Sequence, residues 1–357
     1  MRFSHVPLES KKSIIRAGET LVEGKASPSE IEQARELVGR WRACHLYPIN
    51  TFQSTLRRKA GSYPGDVIVA QRLKRMPTII DKLKRYPDMK LTTMQDIGGV
   101  RAVLGSVDDV YRLAREYKTM GRFAHELVAE YDYIQNPRDE DGYRSLHLIY
   151  KYKNSQNTDY DGLRVELQIR TKLQHTWATA VETMGTFLGQ ALKSRQGDRG
   201  WIDFFAITAS AFALRENCAP LPRFGNLSDG ETALAVADAE ARLFALDQMR
   251  AISVAVDMIA KESSGSSYHL IVLNSLERTV EVTSYDRGSF EQALEDYSKS
   301  EKDAAEGMKI EPVLVSAGRI ETLRRAYPNF FLDIREFVQI VDGIVSTPVK
   351  GEEVVRP

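Results

Sequence analysis

The chain has 357 residues and a mass of 40.3 kDa, which is long enough for two domains and a sizeable core. Its hydrophobic fraction of 43% is ordinary for a globular protein, and its formal net charge of zero means that nucleic-acid contacts would need local basic patches. Cys44 and Cys218 are the only cysteines, which excludes a disulfide framework and a cysteine-based zinc site.

The N-terminal residues predict helices. The opening MRFSHVPLESKK lacks the apolar core of a signal peptide, and no apolar run in the chain approaches membrane-spanning length, so we expect a cytoplasmic protein. Leu8 to Leu21 can form a helix, and Ser27 to Glu30 has the composition of a helix start. A further helix that includes Phe52 to Arg58 ends in a basic run, which by itself is typical of a solvated helix end.

The stretch Val67 to Tyr86 is predicted to be helical and interrupted at Pro77. It is dense in cations and contains Asp81 as its only acid. The cations are Arg72, Lys74, Arg75, Lys82, Lys84 and Arg85. Because like charges at this density repel one another, an anionic partner such as nucleotide phosphate or nucleic-acid backbone is expected.

A glycine pair follows Asp96, in the order Asp96-Ile97-Gly98-Gly99, and leads into a strand over Val100 to Leu104. Backbone at such a pair can approach a ligand closely. The spacing matches neither a dinucleotide-binding loop nor a P-loop. A helix over Asp108 to Met120 and a strand around Glu130 to Ile134 come next.

The stretch Asp141 to Thr171 contains two alternating apolar and polar runs around a polar break, which predicts a hairpin. Alternation sends Leu146, Leu148, Tyr150, Val165, Leu167 and Ile169 to one face. The other face receives Ser145, His147, Glu166, Gln168 and Arg170, with Tyr143 at its mouth. Such a set of side chains indicates a polar ligand floor rather than an ordinary solvated sheet face.

The remaining chain predicts helices over Thr171 to Leu192, Trp201 to Leu214 and Glu231 to Ala260, and then the linker KESSGSS at Lys261 to Ser267. Beyond it, a second hairpin, a helix over Ser289 to Lys299, a strand and a mostly helical end predict a small α+β domain. The predicted organisation is N-terminal helices at 1–50, a main domain at 51–195, a helical extension at 196–260, the linker at 261–267 and a C-terminal domain at 268–357.

Two carboxylates, Asp96 and Glu166, stand out among the polar residues. With nearby cations they suit a magnesium–polyphosphate complex, because magnesium needs few protein carboxylates and transfer of a phosphorus group depends mainly on charge neutralisation and positioning. The cations are Arg72, Lys74, Lys82 and Arg101. The residues alone leave a structural alternative open, in which Asp96 caps a turn and Glu166 pairs with an arginine on the sheet.

The segments RLKRMPTIIDKL, DIGGVR, GYRSLH and VELQIRT, in this order and spacing, resemble the synthetase domain of the RelA/SpoT alarmone-synthetase family. The resemblance covers about Phe52 to Leu192 and implies an α+β fold: a mixed, nucleotidyltransferase-like β-sheet surrounded by helices. It implies transfer of the β,γ-pyrophosphate of ATP to a ribose 3′-hydroxyl, with magnesium as cofactor and AMP as the other product.

The same resemblance implies roles for individual residues. Asp96 and Glu166 become magnesium ligands, and Glu166 can also activate the acceptor hydroxyl. Arg72 and Arg101 become a guanidinium sandwich for adenine, while Lys74, Thr78 and Lys82 contact phosphates. Tyr143 becomes the stacking platform for the acceptor base, and His147, Gln168 and Arg170 line the acceptor pocket.

One segment departs from the alarmone-synthetase pattern. That family usually has a lysine just before the glycine–tyrosine pair, where it meets the phosphates of GDP or GTP, whereas this chain has PRDEDGY. We expect Arg138 to be displaced and the acids Asp139, Glu140 and Asp141 to repel a guanosine polyphosphate. This departure argues against a free nucleotide as acceptor.

A synthetase domain followed by a short cysteine-free ββαβα domain resembles the CapRel group of fused toxin–antitoxin proteins, whose C-terminal domain is a pseudo-zinc-finger. That resemblance implies an anti-phage toxin that pyrophosphorylates the CCA end of tRNA, is restrained by its C-terminal domain, and is released by a phage structural protein, expected to be a capsid protein. A YxxY motif blocks ATP in that group, and Tyr327 with Phe330 match it except for the second hydroxyl. Packing of both aromatics in a small core of their own is the structural alternative.

On this reading a macromolecular acceptor is held through its backbone by exposed cations, for which the candidates are Lys11, Lys12, Arg57, Arg58 and Lys59. Two alternatives remain. One is a small alarmone synthetase that makes guanosine tetra- or pentaphosphate. The other is a catalytically silent nucleotide-binding regulator, against which the intact Asp96, Glu166 and Tyr143 argue.

Overall fold

A computed structural model of the chain describes residues 3–119, 123–187, 199–243, 245–246, 249–250, 268–274, 279–286, 288–308, 310–316 and 334–346. The predicted linker Lys261–Ser267 and the predicted inhibitory residues Tyr327 and Phe330 lie outside the described residues. Within the described ranges, no helix combines the length and apolar character needed to cross a membrane.

The described chain mixes helices and strands, as an α+β fold requires. The helices are α1 (Lys11–Glu23), α2 (Pro28–Ala43), α3 (Leu46–Ala60), α4 (Met76–Arg85), α5 (Val107–Thr119), α6 (Lys172–Phe187), α7 (Arg199–Arg215), α8 (Asp229–Leu243), α9 (Phe290–Ala305) and α10 (Arg335–Val345). The strands are β1 (Ile68–Leu73), β2 (Gly98–Leu104), β3 (Glu126–Asp132), β4 (Leu146–Lys151), β5 (Arg164–Thr171), β6 (Tyr268–Asn274), β7 (Thr279–Tyr285) and β8 (Ile310–Ser316).

The main sheet has five strands in the order β1-β2-β5-β4-β3. Strands β2 and β5 pair in parallel, whereas the other neighbours pair antiparallel, so the sheet is mixed as predicted. The parallel pair lies at the centre and sets Gly99 directly beside Glu166. A connection of some sixty residues is therefore needed to bring the two predicted carboxylate segments together.

The prediction of a helix over Val67 to Tyr86 was half wrong, because its first part is the strand β1. The β-branched residues Val67, Ile68 and Val69 favour a strand, and pairing with β2 supplies the hydrogen bonds. Pro77 does not interrupt a helix but lies in the first turn of α4, where its missing N–H costs nothing.

The predicted hairpin was confirmed: β4 and β5 pair antiparallel, with His147 opposite Gln168 and Leu148 opposite Leu167. Leu146, Leu148 and Leu167 are fully buried in the first of two large cores. Helix α3 covers this face, since a Cβ at Gly98 would lie only 2.8 Å from Ile49. The opposite face, which carries Glu166, is left for the site.

The second core lies among α6, α7, α8 and α10. Phe337 of α10 is fully buried and packs against the rings of Phe204, Phe205 and Phe212. The three-stranded antiparallel sheet β7-β6-β8 has a separate small core with α9 that includes Tyr268. Thus α10 packs on the helices that follow the main sheet, while a pseudo-zinc-finger character of the β6–β8 unit stays a prediction.

Candidate active site

Polar residues from three strands and the loop before β2 converge on the open face of the main sheet. They line a pocket of about 60 Å³. The polar lining residues are Gln71, Arg72, Lys74, Asp96, Arg101, Glu166 and Gln168. The structure therefore brings together both predicted carboxylates and the predicted donor-binding cations Arg72, Lys74 and Arg101. Thr78 and Lys82, both on α4, are outside this lining.

Asp96 is the anionic centre of the cation-rich side. Its Oδ2 accepts hydrogen bonds from Lys74 Nζ at 3.0 Å and from Lys82 Nζ at 2.9 Å. Burial alone would raise the pKa of the Asp96 carboxyl, but the two ammonium groups lower it to about 2. Burial lowers the pKa of Lys74, and the charges of Arg72 and Lys82 lower it further, against the attraction of Asp96.

Glu166 is held by two side chains of the same face. His147 Nδ1 lies 3.0 Å from its Oε1, and Gln168 Nε2 donates to its Oε2 at 2.7 Å. Burial alone would lower the pKa of His147, yet Tyr143 and Glu166 raise it to about 9, so the ring is cationic at neutral pH. The carboxyl pKa of Glu166 is lowered, because this cation outweighs burial. Glu166 is thus anionic at neutral pH.

Tyr143 was predicted to lie at the mouth of the polar face of β4 and β5. In the structure its side chain is buried. Its hydroxyl contacts His147 Nε2 at 3.0 Å, and its ring lies in the second core beside Trp177. The guanidinium of Arg138 lies over the ring, 4.5 Å from its centroid. An acceptor base that stacks on Tyr143 would have to share or replace this contact.

Arg138 is displaced along the sequence from the position of the family's lysine, but its guanidinium still lies over Tyr143. The chain turns back at Gly142, where φ is +80° and a Cβ would lie 2.5 Å from that of Ala209, so only glycine fits. This turn returns Arg138 to the tyrosine, where it also forms an ion pair with Asp141 at 2.8 Å. Asp141 in turn accepts a hydrogen bond from the backbone N–H of Tyr143. Of the acids Asp139, Glu140 and Asp141, Asp141 therefore stabilises this turn, and its negative charge is neutralised by Arg138.

Three guanidinium groups lie on the same face. The pKa of the buried Arg170 is well below its usual value, because burial disfavours its charge and Arg101 and Arg72 repel it. His175, which the sequence interpretation missed, contacts Arg170 at 2.6 Å and Arg101 at 3.4 Å through Nδ1. Its only sequence signal is its place one turn into the helix that follows β5. Such a cluster favours an anionic ligand.

The two glycines that begin β2 are each required for a different reason. Gly98 faces α3 and leaves no room for a side chain, whereas Gly99 faces the pocket, with Glu166 Oε2 at 4.0 Å from a built Cβ. A side chain at Gly99 would project into the pocket beside Glu166. The prediction that a ligand approaches the backbone here agrees with this position.

The carboxylates fit a hard divalent cation such as magnesium. Asp96 Oδ1 is buried and has no hydrogen-bond partner among the described residues, so it is available as a metal ligand. Asp96 and Glu166 line the same small pocket. Two carboxylates are enough for magnesium, which keeps water and substrate oxygens as its other ligands.

The predicted backbone-binding cations fall on two helices. Lys11 and Lys12 are exposed on α1, which packs against α4, and Arg57 and Arg58 are exposed at the end of α3. Lys59 differs, because its ammonium donates to Glu116 at 2.7 Å and is half-buried. Its charge is therefore less available to a binding partner than the charges of the other four residues.

Residues 71–185 match the family model RelA_SpoT, described as a region found in RelA / SpoT proteins. The chain is 28% identical over 189 residues to the uncharacterized protein Rv1366 of Mycobacterium tuberculosis, which covers 52% of this chain and 63% of that protein. It is 35% identical over 113 residues to the GTP pyrophosphokinase YjbM of Bacillus subtilis, covering 31% and 52%.

Among solved structures, small alarmone synthetase 1 of Bacillus subtilis, in a crystal structure with its product pppGpp, superposes with a TM-score of 0.43 at 21% identity. The superposition covers 51% of this chain and 94% of that one. The chain thus contains a region similar to one found in RelA / SpoT proteins, and it spans about half to two thirds of the length of these curated relatives.

Proposed function

We propose that this chain, which contains a RelA/SpoT-type synthetase region, is a pyrophosphotransferase that uses ATP as donor. The observation that carries the proposal is the convergence of Asp96, Glu166 and Lys74 in one pocket, where Lys82 also donates a hydrogen bond to Asp96. A magnesium ion held by the two carboxylates would neutralise charge on the triphosphate. The buried cations would bind its oxygens, since ammonium groups in a low-dielectric site stabilise developing negative charge strongly.

In the proposed reaction an acceptor hydroxyl oxygen bonds to the β-phosphorus of ATP while the bond from that phosphorus to the α–β bridging oxygen breaks. AMP leaves with that oxygen, and the hydroxyl proton passes to Glu166 and then to solvent. Glu166 is suited to this role because it is anionic and held in place by His147 and Gln168. Tyr143 would orient the acceptor base, so that positioning rather than a protein nucleophile gives the rate.

We further propose that the acceptor is the 3′ CCA end of tRNA and that the transfer inhibits translation. Asp139 and Glu140 precede the acceptor platform in the sequence, and their negative charge disfavours a free guanosine polyphosphate. A tRNA would be held instead through its backbone, for which Lys11, Lys12 and the exposed end of α3 are available.

A second acceptor, GDP or GTP, is favoured by one observation. The Arg138 guanidinium lies over Tyr143 and places a cation where a lysine serves alarmone synthetases. On this alternative the chain is a small alarmone synthetase, in keeping with the GTP pyrophosphokinase name of YjbM. The ion pair with Asp141 lowers the availability of this cation, which is why we place the guanosine acceptor second.

The two acceptors give different products. Purified full-length protein supplied with ATP labelled on the γ-phosphate should transfer label to bulk tRNA and not to GDP or GTP. Oxidising the tRNA 3′ diol with periodate should abolish the label, because the accepting hydroxyl is lost. Raising the salt concentration should lower the transfer, as expected for backbone contacts. Label in guanosine tetra- or pentaphosphate with unmodified tRNA would replace this acceptor by the second one.

The C-terminal region (residues 268–357) is proposed to restrain the enzyme until a phage structural protein binds it. The described contact that supports this is made by α9: Glu301 accepts from the backbone N–H of Met76 at 3.0 Å and pairs with Arg42 at 3.4 Å. Arg42 also contacts the Tyr297 hydroxyl, and its Nε donates to the carbonyl oxygen of Lys74 at 2.7 Å. These contacts hold the turn between β1 and α4, which carries the donor-binding cations.

The predicted inhibitory contact of Tyr327 and Phe330 lies outside the described residues and stays a prediction. The α9 contact offers a mechanism that does not require an aromatic in the adenine site. With the turn fixed, Lys74 and Lys82 are both bonded to Asp96 and the pocket holds only about 60 Å³, below the roughly 300–1,000 Å³ of small-molecule sites. Releasing the turn would allow the pocket to widen for a triphosphate.

Glu301→Gln should increase ATP-dependent transfer and make the protein toxic to cells without a trigger. A hydrogen bond to a charged group contributes about 1.5–3 kcal/mol, so we expect an increase of about 10–100-fold in the open population. Glu295→Gln changes an exposed glutamate of the same helix and should behave like wild type. Growth assays and label transfer measure both. Decreased transfer in Glu301→Gln would mean that the contact positions the turn for catalysis instead.

Point variants test the proposed restraint by the C-terminal region better than a truncation after Ser267 does. Such a truncation also removes α10, whose Phe337 and Val341 are buried against α7 and α8. The exposed core would destabilise the synthetase region itself, so loss of activity would not report on regulation.

A further inference from the structure

The edge of the main sheet beside the proposed acceptor pocket carries tyrosines. Strand β3 is the last strand of this sheet and pairs with β4. Tyr131 lies opposite His147 in that pair, and His147 lies opposite Gln168 in the next pair, so the three side chains share the face that carries the site. The row that begins at Arg101 and passes through Gln168 and His147 therefore ends at the edge of the sheet with Tyr131.

Tyr131 and Tyr133, which we call the aromatic strip, lead from this edge to Tyr143, the proposed acceptor platform. The rings of Tyr131 and Tyr133 are nearly parallel, with an interplanar angle of 13° and a centroid distance of 6.1 Å. The ring of Tyr133 meets that of Tyr143 at a centroid distance of 5.8 Å and an angle of 69°. Exposure increases outwards, from 9% for Tyr143 through the half-buried Tyr133 to 38% for Tyr131. Three rings therefore follow one another from the pocket to the surface.

The acidic side chains next to Tyr131 are bound on the other face of β3. Glu130 forms an ion pair with Lys118 at 2.9 Å, and Asp132 accepts a hydrogen bond from the hydroxyl of Tyr111 at 3.0 Å. Both partners belong to α5, so this helix compensates the charges of the strand. The aromatic strip itself presents ring surface with hydroxyl groups at its margin. A surface of this composition suits an uncharged planar ligand such as a nucleobase.

Two contacts fix the position of the aromatic strip relative to the pocket. The hydroxyl of Tyr131 donates to Oε1 of Gln95 at 3.2 Å, one residue before Asp96. The ring of Tyr133 contacts the imidazole of His147 at a centroid distance of 5.2 Å. Rings that are held in this way before a ligand arrives lose little side-chain freedom when a base stacks on them, so more of the stacking free energy remains as affinity.

We propose that the aromatic strip binds the unpaired nucleotides that precede the acceptor nucleotide at a single-stranded RNA 3′ end. The base next to the acceptor stacks on Tyr133, and the base before it stacks on Tyr131. The inference rests on the proposed tRNA acceptor and extends it. The centroid steps of 5.8 and 6.1 Å exceed the roughly 3.4 Å between neighbouring bases of a duplex strand, so each base lies unstacked from its neighbour on a ring of its own. Arg138, beside the platform, then meets the phosphodiester between the first two nucleotides.

The aromatic strip distinguishes an RNA end from a guanosine nucleotide. GDP and GTP carry one base, which would occupy Tyr143 and leave Tyr131 and Tyr133 uncovered. A chain of three nucleotides gains two further stacking contacts, each of which increases affinity by about 5–150-fold. Acceptor choice then depends on ring surface outside the pocket as well as on the acids Asp139 and Glu140.

The test measures binding of short RNA to the full-length protein and does not depend on transfer. Wild type, Tyr131→Ala and Tyr133→Ala are titrated calorimetrically with AMP and with the RNA trinucleotide CCA. A saturating ATP analogue with a methylene group between the α- and β-phosphorus keeps AMP out of the donor pocket. Wild type should bind CCA at least about fivefold more tightly than AMP. Each variant should bind CCA about 5–150-fold more weakly than wild type does, while its AMP affinity stays within about twofold.

Abasic trinucleotides assign each base to its ring. RNA whose middle nucleotide lacks its base keeps both phosphodiesters but has nothing to stack on Tyr133, and RNA whose first nucleotide lacks its base tests Tyr131 in the same way. Wild type should bind each abasic RNA more weakly than CCA. Tyr133→Ala should bind CCA and the middle-abasic RNA alike, and Tyr131→Ala should bind CCA and the first-abasic RNA alike, because the base and the ring belong to one contact.

Two further variants serve as controls. Tyr131→Phe keeps the ring and loses only the hydrogen bond to Gln95, so it should bind CCA like wild type. Tyr86→Ala makes the same change as Tyr131→Ala at a 52% exposed tyrosine that follows α4, and it should leave CCA affinity unchanged. Melting temperatures report the folding of every variant. If the half-buried Tyr133→Ala does not fold, Tyr131→Ala with the first-abasic RNA still decides the matter.

The outcomes separate this inference from the proposed function. Wild-type CCA affinity in the folded alanine variants, or an abasic penalty that persists in them, would overturn the aromatic strip and leave transfer to tRNA in place. CCA binding that depends on the rings, together with no label transfer to tRNA, would support the strip and remove the proposed reaction. Failure of wild type to bind CCA more tightly than AMP, with labelled guanosine nucleotide as product, would overturn both the strip and the tRNA acceptor.

Discussion

Replacing Glu166 by Gln should lower the rate of pyrophosphate transfer by about 10²–10³-fold, the range observed when one preorganised electrostatic group is removed from an active site. The substitution keeps the shape of the side chain but removes the charge that pairs with His147 and would bind magnesium. It also removes the group that would accept the proton of the acceptor hydroxyl. Initial rates with labelled ATP, measured over a range of magnesium concentrations, provide the test.

Glu216→Gln is the matched control for Glu166→Gln. Glu216 is a half-buried carboxylate that accepts a hydrogen bond from Gln174 at 2.9 Å and lies outside the pocket lining. The Glu216→Gln variant should be less stable than wild type, but its folded molecules should transfer pyrophosphate at the wild-type rate. If Glu166→Gln transfers as fast as wild type, Glu166 is a structural ion-pair residue, the alternative that the sequence left open.

Tyr143→Ala should lower transfer by about 5–150-fold while ATP affinity changes little, because stacking of a base on an aromatic contributes about 1–3 kcal/mol. The acceptor would lose its platform, and its hydroxyl would no longer be held near the donor. The structure adds a second consequence. Tyr143 is buried beside Trp177, so the alanine variant leaves a cavity and should be less stable by about 3–5 kcal/mol.

Tyr143→Phe separates stacking from both other effects. It keeps the ring, its packing and the contact with the Arg138 guanidinium, and loses only the hydroxyl that meets His147. We expect it to retain most of the transfer activity at a temperature where both variants are folded, as checked by circular dichroism. Equal loss in the phenylalanine and alanine variants would show that the hydroxyl, not the ring surface, is what the acceptor step requires.

The alternation of apolar and polar residues was enough to predict the polar floor. Side-chain direction along a strand has a period of two, so His147, Glu166 and Gln168 had to share a face once their segments were strands. The same local rule failed for Val67 to Leu73, where helix and strand patterns compete. Pairing with β2, a contact that no local pattern contains, decided that this segment is a strand.

The order and spacing of four motifs also made the resemblance to RelA/SpoT proteins recognisable, and residues 71–185 match that family model. Which side chains touch was harder to predict. Arg138 was expected to be displaced, yet the turn at Gly142, fitted against Ala209 of a later helix, returns it to Tyr143. His175 had no distinguishing pattern and gained its place only from the position of α6 behind β5.

The sequence by itself determined the residue types at the candidate site, the face of β4 and β5 on which they stand, and the resemblance of the central region to RelA/SpoT proteins, because these depend on local period and motif order. Only the tertiary structure decided what closes that site. Arg42 and Glu301 meet across 259 residues, and Glu336 and Phe337 reach a cavity beside β1 and β2 from the far end of the chain. Contacts at such separation depend on how whole helices pack, and no single segment carries the information that sets them.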